Sequence, residues 1–483
     1  LKLETVARYI TADTRKFSPA LRDAEVRNFV IDSREVKAGE IFFALSQPDY
    51  KNNGFNGDFA DSHQFIKGAF ESGAIACIAR PDKVFGNPEL EGFLDRLLLV
   101  DDAVVALQAL AAGIYRDWGK RVVAVTGSAG KTTAKELTAH VLSENGFRVL
   151  KNIKNYNNGL GHPLTVLRLV SGGNYDVAVL EMGMSTPMHE IRRLCEITPP
   201  DFAVELNVLP VHLEHLGSIE AIAAAKAELV EGLKPGGTAV LNVDDPRVLA
   251  MKEKHSGANM TYAISQTADV TASEIFSERF GHTSFKLHTP AGNATVSMKL
   301  AGRHNISNAL AAAAVGIGFD ISPENIARAL GTVAPPPQRG EVVRFAAGFE
   351  VVNDSYNSNP DALMSMVETL VENGGHAKRK IVVAGEMLEL GIEAGAIHRE
   401  TGKKIAASGI DALYGVRGLA AELVAGAQEA GLHETKFFLD SDQAADEIAN
   451  EIKEGDLVLV KGSRGVRTEK IVAKLVEKFA TVE

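Results

Sequence analysis

Cysteine is nearly missing from this chain: Cys77 and Cys195 are the only two in 483 residues, and no CxxC spacing occurs. That excludes a disulfide framework and a cysteine zinc site, and makes two buried free thiols the expectation. Long apolar runs are absent too, since no stretch reaches the ~18 residues of a membrane span. The opening LKLETVARYI lacks a basic segment leading into an apolar one, so the cytoplasm is the expected compartment. Positive charge is in short supply: 51 Lys and Arg against 62 Asp and Glu give a formal net charge of -11. Nucleic-acid binding needs a clustered basic surface, so an anionic ligand would have to be met by a local pocket. No internal repeat or heptad run appears.

The length corresponds to roughly three domains at ~150 residues each. Residues 1–118 read as a small α/β unit, with strand-like FVIDSREV, IFFAL and AIACIAR, a Gly/Asn-rich loop over 47–62 and the helix-like FIKGAFESG. Over 119–334, buried strands alternate with helices: VVAVTG, a helix at 131–144, VAVLEMG, DFAVELNV, a helix at 218–232 and TAVLNVDD. Such alternation points to a parallel sheet covered on both faces. A polar stretch around 251–300 suggests a hairpin excursion within that domain, followed by an Ala-rich helix at 305–318. Consecutive prolines in APPPQRG mark a linker. Beyond it, over 335–483, FEVVNDS, RKIVVAGEM, ALYGV, TKFFLD and DLVLVKG alternate with helices. The expected fold class is α/β in three domains, a central P-loop-type parallel sheet flanked by a small N-terminal α/β domain and a C-terminal Rossmann-like domain.

VVAVTGSAGKTT is an apolar strand, a glycine-rich turn and a helix start, which aims backbone N–H groups and the positive helix end at an anion. Thr126, Gly127, Ser128, Gly130, Lys131, Thr132 and Thr133 make up this loop, with Lys131 reaching phosphates and a threonine hydroxyl meeting Mg²⁺. Val125 stands where the full GxxxxGK[ST] pattern has its first glycine, so the loop is a shorter form. Glu181 ends the strand VAVLEMG, and ligands gather outside the carboxyl ends of parallel strands. Asn207, His212, Glu214 and His215 follow the next strand; His212 is a candidate metal ligand or a structural histidine. Lys226 interrupts an alanine-rich helix face, either as a buried amine able to form a carbamate or as a lysine snorkelling to water. His304, Asn305 and Asn308 would read an adenine edge or cap a helix. Asp354, Tyr356, Asn357 and Asn359 form a turn with an aromatic stacking surface, and Lys461 and Arg464 a basic glycine turn that could receive an anion.

In this order TGSAGKTT, NYNNGLGHP, LEMGMS, HLEHLGS, AKAEL, GRHNISNAL, NDSYNSNPDAL, GEMLELG and VKGSRG resemble the muramyl ligases of peptidoglycan synthesis, over nearly the whole chain. NDSYNSNP and GEMLELG resemble the branch that adds D-alanyl-D-alanine, and the Asp-Asn-Pro-Arg signature of the diamino-acid-adding branch is absent. The resemblance implies an ATP-dependent peptide ligase of cell-wall growth, and hence of cell shape and division. Its substrates would be UDP-N-acetylmuramoyl-tripeptide and D-alanyl-D-alanine, its cofactors ATP and Mg²⁺, and its working form a monomer without nucleic-acid or membrane partners.

By the same resemblance Lys131, His212 and Lys226 are catalytic, and Thr132, Glu181, His212 and carbamylated Lys226 hold magnesium. Asn305 and Tyr356 lie at the adenine, and Arg339 and Asp354 at the phosphates or ribose. Ser33 and Arg34, in the segment IDSREVKAGEIFFAL, meet the uridine diphosphate. Asn155, Asn157, Asn158, Asn357, Asn359 and Lys461 line the substrate cleft. Residues 1–118 would bind the UDP-sugar and 119–334 ATP. Ser62 and His189 stand where the family carries glycine. A folylpolyglutamate synthase would share the central domain but leave SREVKAGEIFFAL unexplained; a non-catalytic ATP-dependent switch would leave Glu181, His212 and Lys226 idle.

Overall fold

The computed structural model describes residues 1–482 except 56, 154, 185–188 and 211–216, and at 278 and 279 the backbone alone. Its strands form three sheets. The first has four parallel strands in chain order, Phe29–Val30, Ile41–Phe43, Ala76–Ala79 and Leu97–Leu99. The expected loop over 47–62 is partly a helix, Gln47–Asn52. Ser46 and Asp49 form a reciprocal capping box at its start, which satisfies the free N–H groups and lets so short a helix stand. Helix Ala103–Trp118, capped by Asp102 and ended by left-handed Gly119, leads into the second sheet.

That sheet has nine strands. Ala258–Ala263, Thr238–Asn242, Phe202–Glu205, Arg121–Thr126, Val177–Glu181 and Val149–Lys151 lie side by side and parallel. The polar stretch is more than a hairpin: Val270–Arg279 continues the sheet parallel to Ala258–Ala263, and His282–Thr289 and Gly292–Met298 follow antiparallel. Alternate residues of Arg121–Thr126 enter different cores. Val122 and Ala124 join one that also contains Leu107, Leu110 and Ala111 of the N-terminal domain, whereas Val123 and Val125 pack with helix Arg303–Gly318. The first two domains therefore share continuous apolar packing.

The third sheet runs Thr435–Phe438, Ala412–Val416, Arg379–Gly385, Asp456–Lys461, Glu350–Asp354, Glu341–Phe345 and Thr481–Val482. The first five strands are parallel and the last two pair antiparallel. Glu341–Phe345, directly after the proline linker, escaped the sequence reading because EVVRF is only half-buried and shows no clean alternation. This domain meets the central one through Phe280 and Ala301, which enter its core, and through Arg344, whose Nη2 donates to Phe280 O at 3.0 Å.

Candidate active site

Strand Arg121–Thr126 ends in Thr126, fully buried with its hydroxyl unpartnered among the described residues. The chain then turns through Gly127 and Gly130 into helix Lys131–Glu144. Gly130 is required twice over: its φ is +82°, and a Cβ there would lie 2.6 Å from Asn308 Oδ1. Asn207 holds the loop from the neighbouring strand end. Its Oδ1 accepts from Ala129 N–H at 2.9 Å, its Nδ2 donates to Ala129 O at 3.2 Å, and its backbone O accepts from Ser128 N–H at 2.9 Å. Lys131 folds back, donating to Gly127 O at 2.9 Å and Ser128 O at 3.3 Å. Burial lowers its pKa against the pull of Glu181, with a smaller push from Arg339.

Thr132 Oγ1 donates to Glu181 Oε2 at 2.9 Å, and Asn157 Nδ2 donates to Glu181 Oε1 at 2.8 Å. Asn152 fixes the same strand end, donating to Glu181 O at 2.9 Å and accepting from its N–H at 2.8 Å. Opposite, the third domain contributes Asp354, whose carboxylate accepts from Lys461 Nζ at 2.5 Å, and Tyr356, which carries the Arg339 guanidinium 4.1 Å from its ring centroid. Lys461 is buried and also donates to Asn357 O at 2.9 Å, bracing the Asp354 turn from the cavity wall.

These groups enclose one cavity of about 400 Å³ between the two domains. Among the residues singled out from the sequence, Ser128, Gly130, Lys131, Thr132, Thr133, Asn155, Asn157, Glu181, Asn207, His304, Asn305, Asn308, Arg339, Asp354, Tyr356, Asn357, Asn359 and Lys461 line it. Asn359 also caps helix Pro360–Asn373, accepting from Ala362 N–H, and Asn305 donates to Ala301 O at 2.8 Å. Thr126, Gly127, Asn158 and Lys226 do not line the cavity. Asn158 is a helix cap: its Oδ1 accepts from Leu160 N–H at 3.2 Å and Gly161 N–H at 2.9 Å, which satisfies donors that the helix itself leaves free. Ser33 and Arg34 lie in a short turn of the first domain, Arg34 exposed and paired with Asp32. His212, Glu214 and His215 fall outside the described residues.

Lys226 is buried at 2% exposure on helix Ile219–Glu231, so it does not snorkel. Burial pushes its pKa down to about 7, assisted by Lys131 and opposed by Glu205. Glu205 is itself fully buried, with neither carboxylate oxygen hydrogen-bonded among the described residues, and burial raises its pKa well above the usual carboxylate range. His189 occupies a left-handed position, φ +51°, that favours glycine; its Nδ1 is hydrogen-bonded to the buried carboxylate of Glu228, which holds it there. Ser62 precedes His63, which is buried between Asp61 and the Arg80 N–H.

Asn152, Asp361 and Ser365 carry no signal of function by residue type in the sequence, and Asn207 marks only a strand end there. For Asn152 and Asn207 the usable signal is position, since both follow the carboxyl end of a parallel strand. Asp361 and Ser365 lie on helix Pro360–Asn373 and reach the cavity only because the third domain packs across it.

Residues 125–316 match the Mur ligase middle domain, and 338–464 the Mur ligase glutamate ligase domain. The chain is 32% identical to the UDP-N-acetylmuramoyl-tripeptide–D-alanyl-D-alanine ligase of Bacillus subtilis, over 95% of each chain. Among solved structures it resembles MurF of Acinetobacter baumannii, with a TM-score of 0.84, 26% identity and 99% of each chain covered. It also resembles MurF of Thermotoga maritima in complex with ADP, with a TM-score of 0.80, 29% identity, and 94% of this chain and 98% of that one covered. A likeness of this extent, running through the same three-domain α/β fold, makes this chain a member of the Mur ligase family.

Proposed function

We propose that this chain joins D-alanyl-D-alanine to UDP-N-acetylmuramoyl-tripeptide, using ATP, in peptidoglycan precursor synthesis. The observation that carries the reading is the shared cavity: a phosphate loop on one side and Tyr356, Asp354 and Lys461 of another domain on the other. Residues 1–118 take the UDP-sugar, with Ser33 and Arg34 at its diphosphate. Residues 119–334 take the ATP phosphates, and 335–483 close over the nucleotide. Among the described residues no helix is long and apolar enough to cross a membrane, and a UDP-linked substrate with ATP suits the cytoplasm.

In the reaction, the terminal carboxylate of the tripeptide attacks the γ-phosphorus of ATP and ADP leaves. The amine of the dipeptide then attacks the acyl carbon of the resulting acyl phosphate, releasing phosphate and a proton as the peptide bond forms. The first step brings like-charged oxygens together, so positive charge aimed at them is the main requirement. Lys131 and Arg339 supply it on two sides of the cavity, and the loop N–H groups add the helix dipole. In this reading adenine is taken by Tyr356 and Asn305 and a ribose hydroxyl by Asp354, all three of which line the cavity.

The hydroxyl of Thr132 and the carboxylate of Glu181 converge within 2.9 Å, a hard-oxygen pair suited to Mg²⁺. Bound there, Mg²⁺ would shield the phosphate charge from the attacking carboxylate. Lys226, with its pKa near 7, presents enough neutral amine to add CO₂, and the resulting carbamate would be a further oxygen donor. His212 is the remaining proposed ligand.

The test is sustained ADP release by purified protein given ATP, Mg²⁺ and UDP-N-acetylmuramoyl-tripeptide, with D-alanyl-D-alanine or single amino acids added in turn. Turnover only with the dipeptide is expected. Release without any amine, release with single amino acids in preference, or no release at all would overturn the assignment.

A further inference from the structure

The N-terminal domain reaches the phosphate site through a route that its proposed nucleotide-sugar role does not use. Within residues 47–62, Tyr50 gathers two rings, Phe55 at 5.4 Å and Phe59 at 4.7 Å between centroids. The group is anchored from below. Phe55 N–H donates to Tyr50 O at 3.0 Å, and Asp49, fully buried in the same short helix, accepts from Arg80 Nη1 at 2.8 Å.

Phe55 then abuts the central domain at Gly159, where a Cβ would lie 3.0 Å from Phe55 Cζ and 3.1 Å from Gln108 Nε2. Any larger residue would push both side chains back by a few tenths of an ångström, so glycine gives the closest fit. Gln108 Nε2 also donates to Gly159 O at 2.9 Å, so one residue of the turn is gripped by a ring and an amide of another domain. Two positions earlier, Asn157 O accepts from Gly183 N–H at 2.8 Å and Asn157 Nδ2 donates to Glu181 Oε1. A Cβ at Gly183 would stand 3.0 Å from that Nδ2, so the amide packs closely over the bare Gly183 backbone. Glu181 in turn accepts from Thr132 on the phosphate-loop helix.

We propose that Phe55 and Gln108 are positioning residues that hold the Asn157 turn against Glu181, so that the N-terminal domain sets the geometry of the cation-holding pair without touching nucleotide. The inference rests on the reading of Thr132 and Glu181 as that pair. A flexible turn would let Asn157 leave Glu181, and an unoriented carboxylate is a poorer ligand, because groups that orient a ligand tune the metal's affinity. The chain of contacts is short, continuous and packed, which is the condition for one residue to be felt several contacts away.

The test compares Phe55→Ala, Gln108→Ala and the conservative Phe55→Leu with wild type, measuring ADP affinity by calorimetry with and without Mg²⁺, the Mg²⁺ half-saturation of turnover, the KM for the nucleotide-sugar, and the melting temperature. In the two alanine variants, Mg²⁺-dependent ADP affinity is expected to fall about five- to tenfold, the size of a coupling between contacting residues. Affinity without Mg²⁺ and the nucleotide-sugar KM should stay within about twofold, with Phe55→Leu restoring most of the loss. An equal loss with and without Mg²⁺, an unchanged Mg²⁺ dependence, a wild type that binds no ADP, or an effect confined to melting temperature or to the nucleotide-sugar would each overturn the proposal. Because ADP binding needs no turnover, a wild type that fails as a ligase while its Mg²⁺-dependent binding still responds to Phe55→Ala would sink the reaction and leave the positioning role standing.

Discussion

Lys226 and Glu205 face one another in the interior as two groups that burial drives toward their neutral forms, the amine downward and the carboxyl upward. Removing the amine alone therefore leaves no forced charge in the core, since Glu205 is held toward its protonated state. Lys226→Ala is expected to keep the melting temperature within a few degrees while ligation falls by about 100-fold or more, the scale set by losing one charge-stabilising group. Short carboxylic acids added to that variant should recover part of the rate by standing in for the carbamate. Measured initial rates equal to wild type would remove Lys226 from the chemistry.

One element depends on a buried histidine. Helix Gly161–Ser171 follows the Asn155–Gly159 turn, and its second residue, His162, is fully buried with Nε2 hydrogen-bonded to Thr198 Oγ1 at 2.7 Å. Its Nδ1 has no partner among the described residues, and burial lowers the pKa from 6.5 to about 3. Between those two values the unfolded chain binds a proton that the folded chain refuses, so stability is lost as pH falls from 6.5 toward 3. From pH 7 to pH 5 the cost is about 2 kcal/mol for this one group. Urea denaturation at the two pH values should show His162→Gln losing less stability than wild type by about that amount. Equal losses would mean that the folded protein already accepts the proton.

At the scale of the whole molecule, the first two domains share one apolar core, while the third is attached through the proline linker and contacts that include Phe280, Ala301, Arg344 and a His304–Ser365 hydrogen bond. Nucleotide binding across the cavity therefore depends on how firmly the linker presents the third domain. Pro335, Pro336 and Pro337 lead straight into Gln338, whose O accepts from Tyr356 N–H at 3.3 Å, and Arg339, which stacks on Tyr356. Replacing the three prolines by Gly-Ser-Gly restores chain freedom that proline removes. The KM for ATP is expected to rise about threefold or more through lost preorganisation, with the nucleotide-sugar KM unchanged. An unaltered KM for ATP in steady-state assays would show that the linker does not hold the site.

Strand, glycine turn and helix at Thr126–Thr133 were legible in the sequence because each is a local matter. Apolar residues in a row make a buried strand, glycine permits the left-handed turn at Gly130, and the helix start follows within a few residues. The parallel alternation of the central and third domains was legible for the same reason, and the ordered motifs carried the family. The short helix Gln47–Asn52 was hidden because a capping box, not periodicity, makes it. Other features existed only once the chain had packed: Asp354 against Lys461 across 107 residues, Gly130 against Asn308, Glu205 beside Lys226, and Phe55 against Gly159. Local pattern sets which way a residue faces along its own element, but which distant residue it meets is decided by how sheets and helices bury their apolar faces against one another. A turn of asparagines or a lysine in an alanine-rich helix therefore acquired its chemical surroundings from the tertiary structure alone.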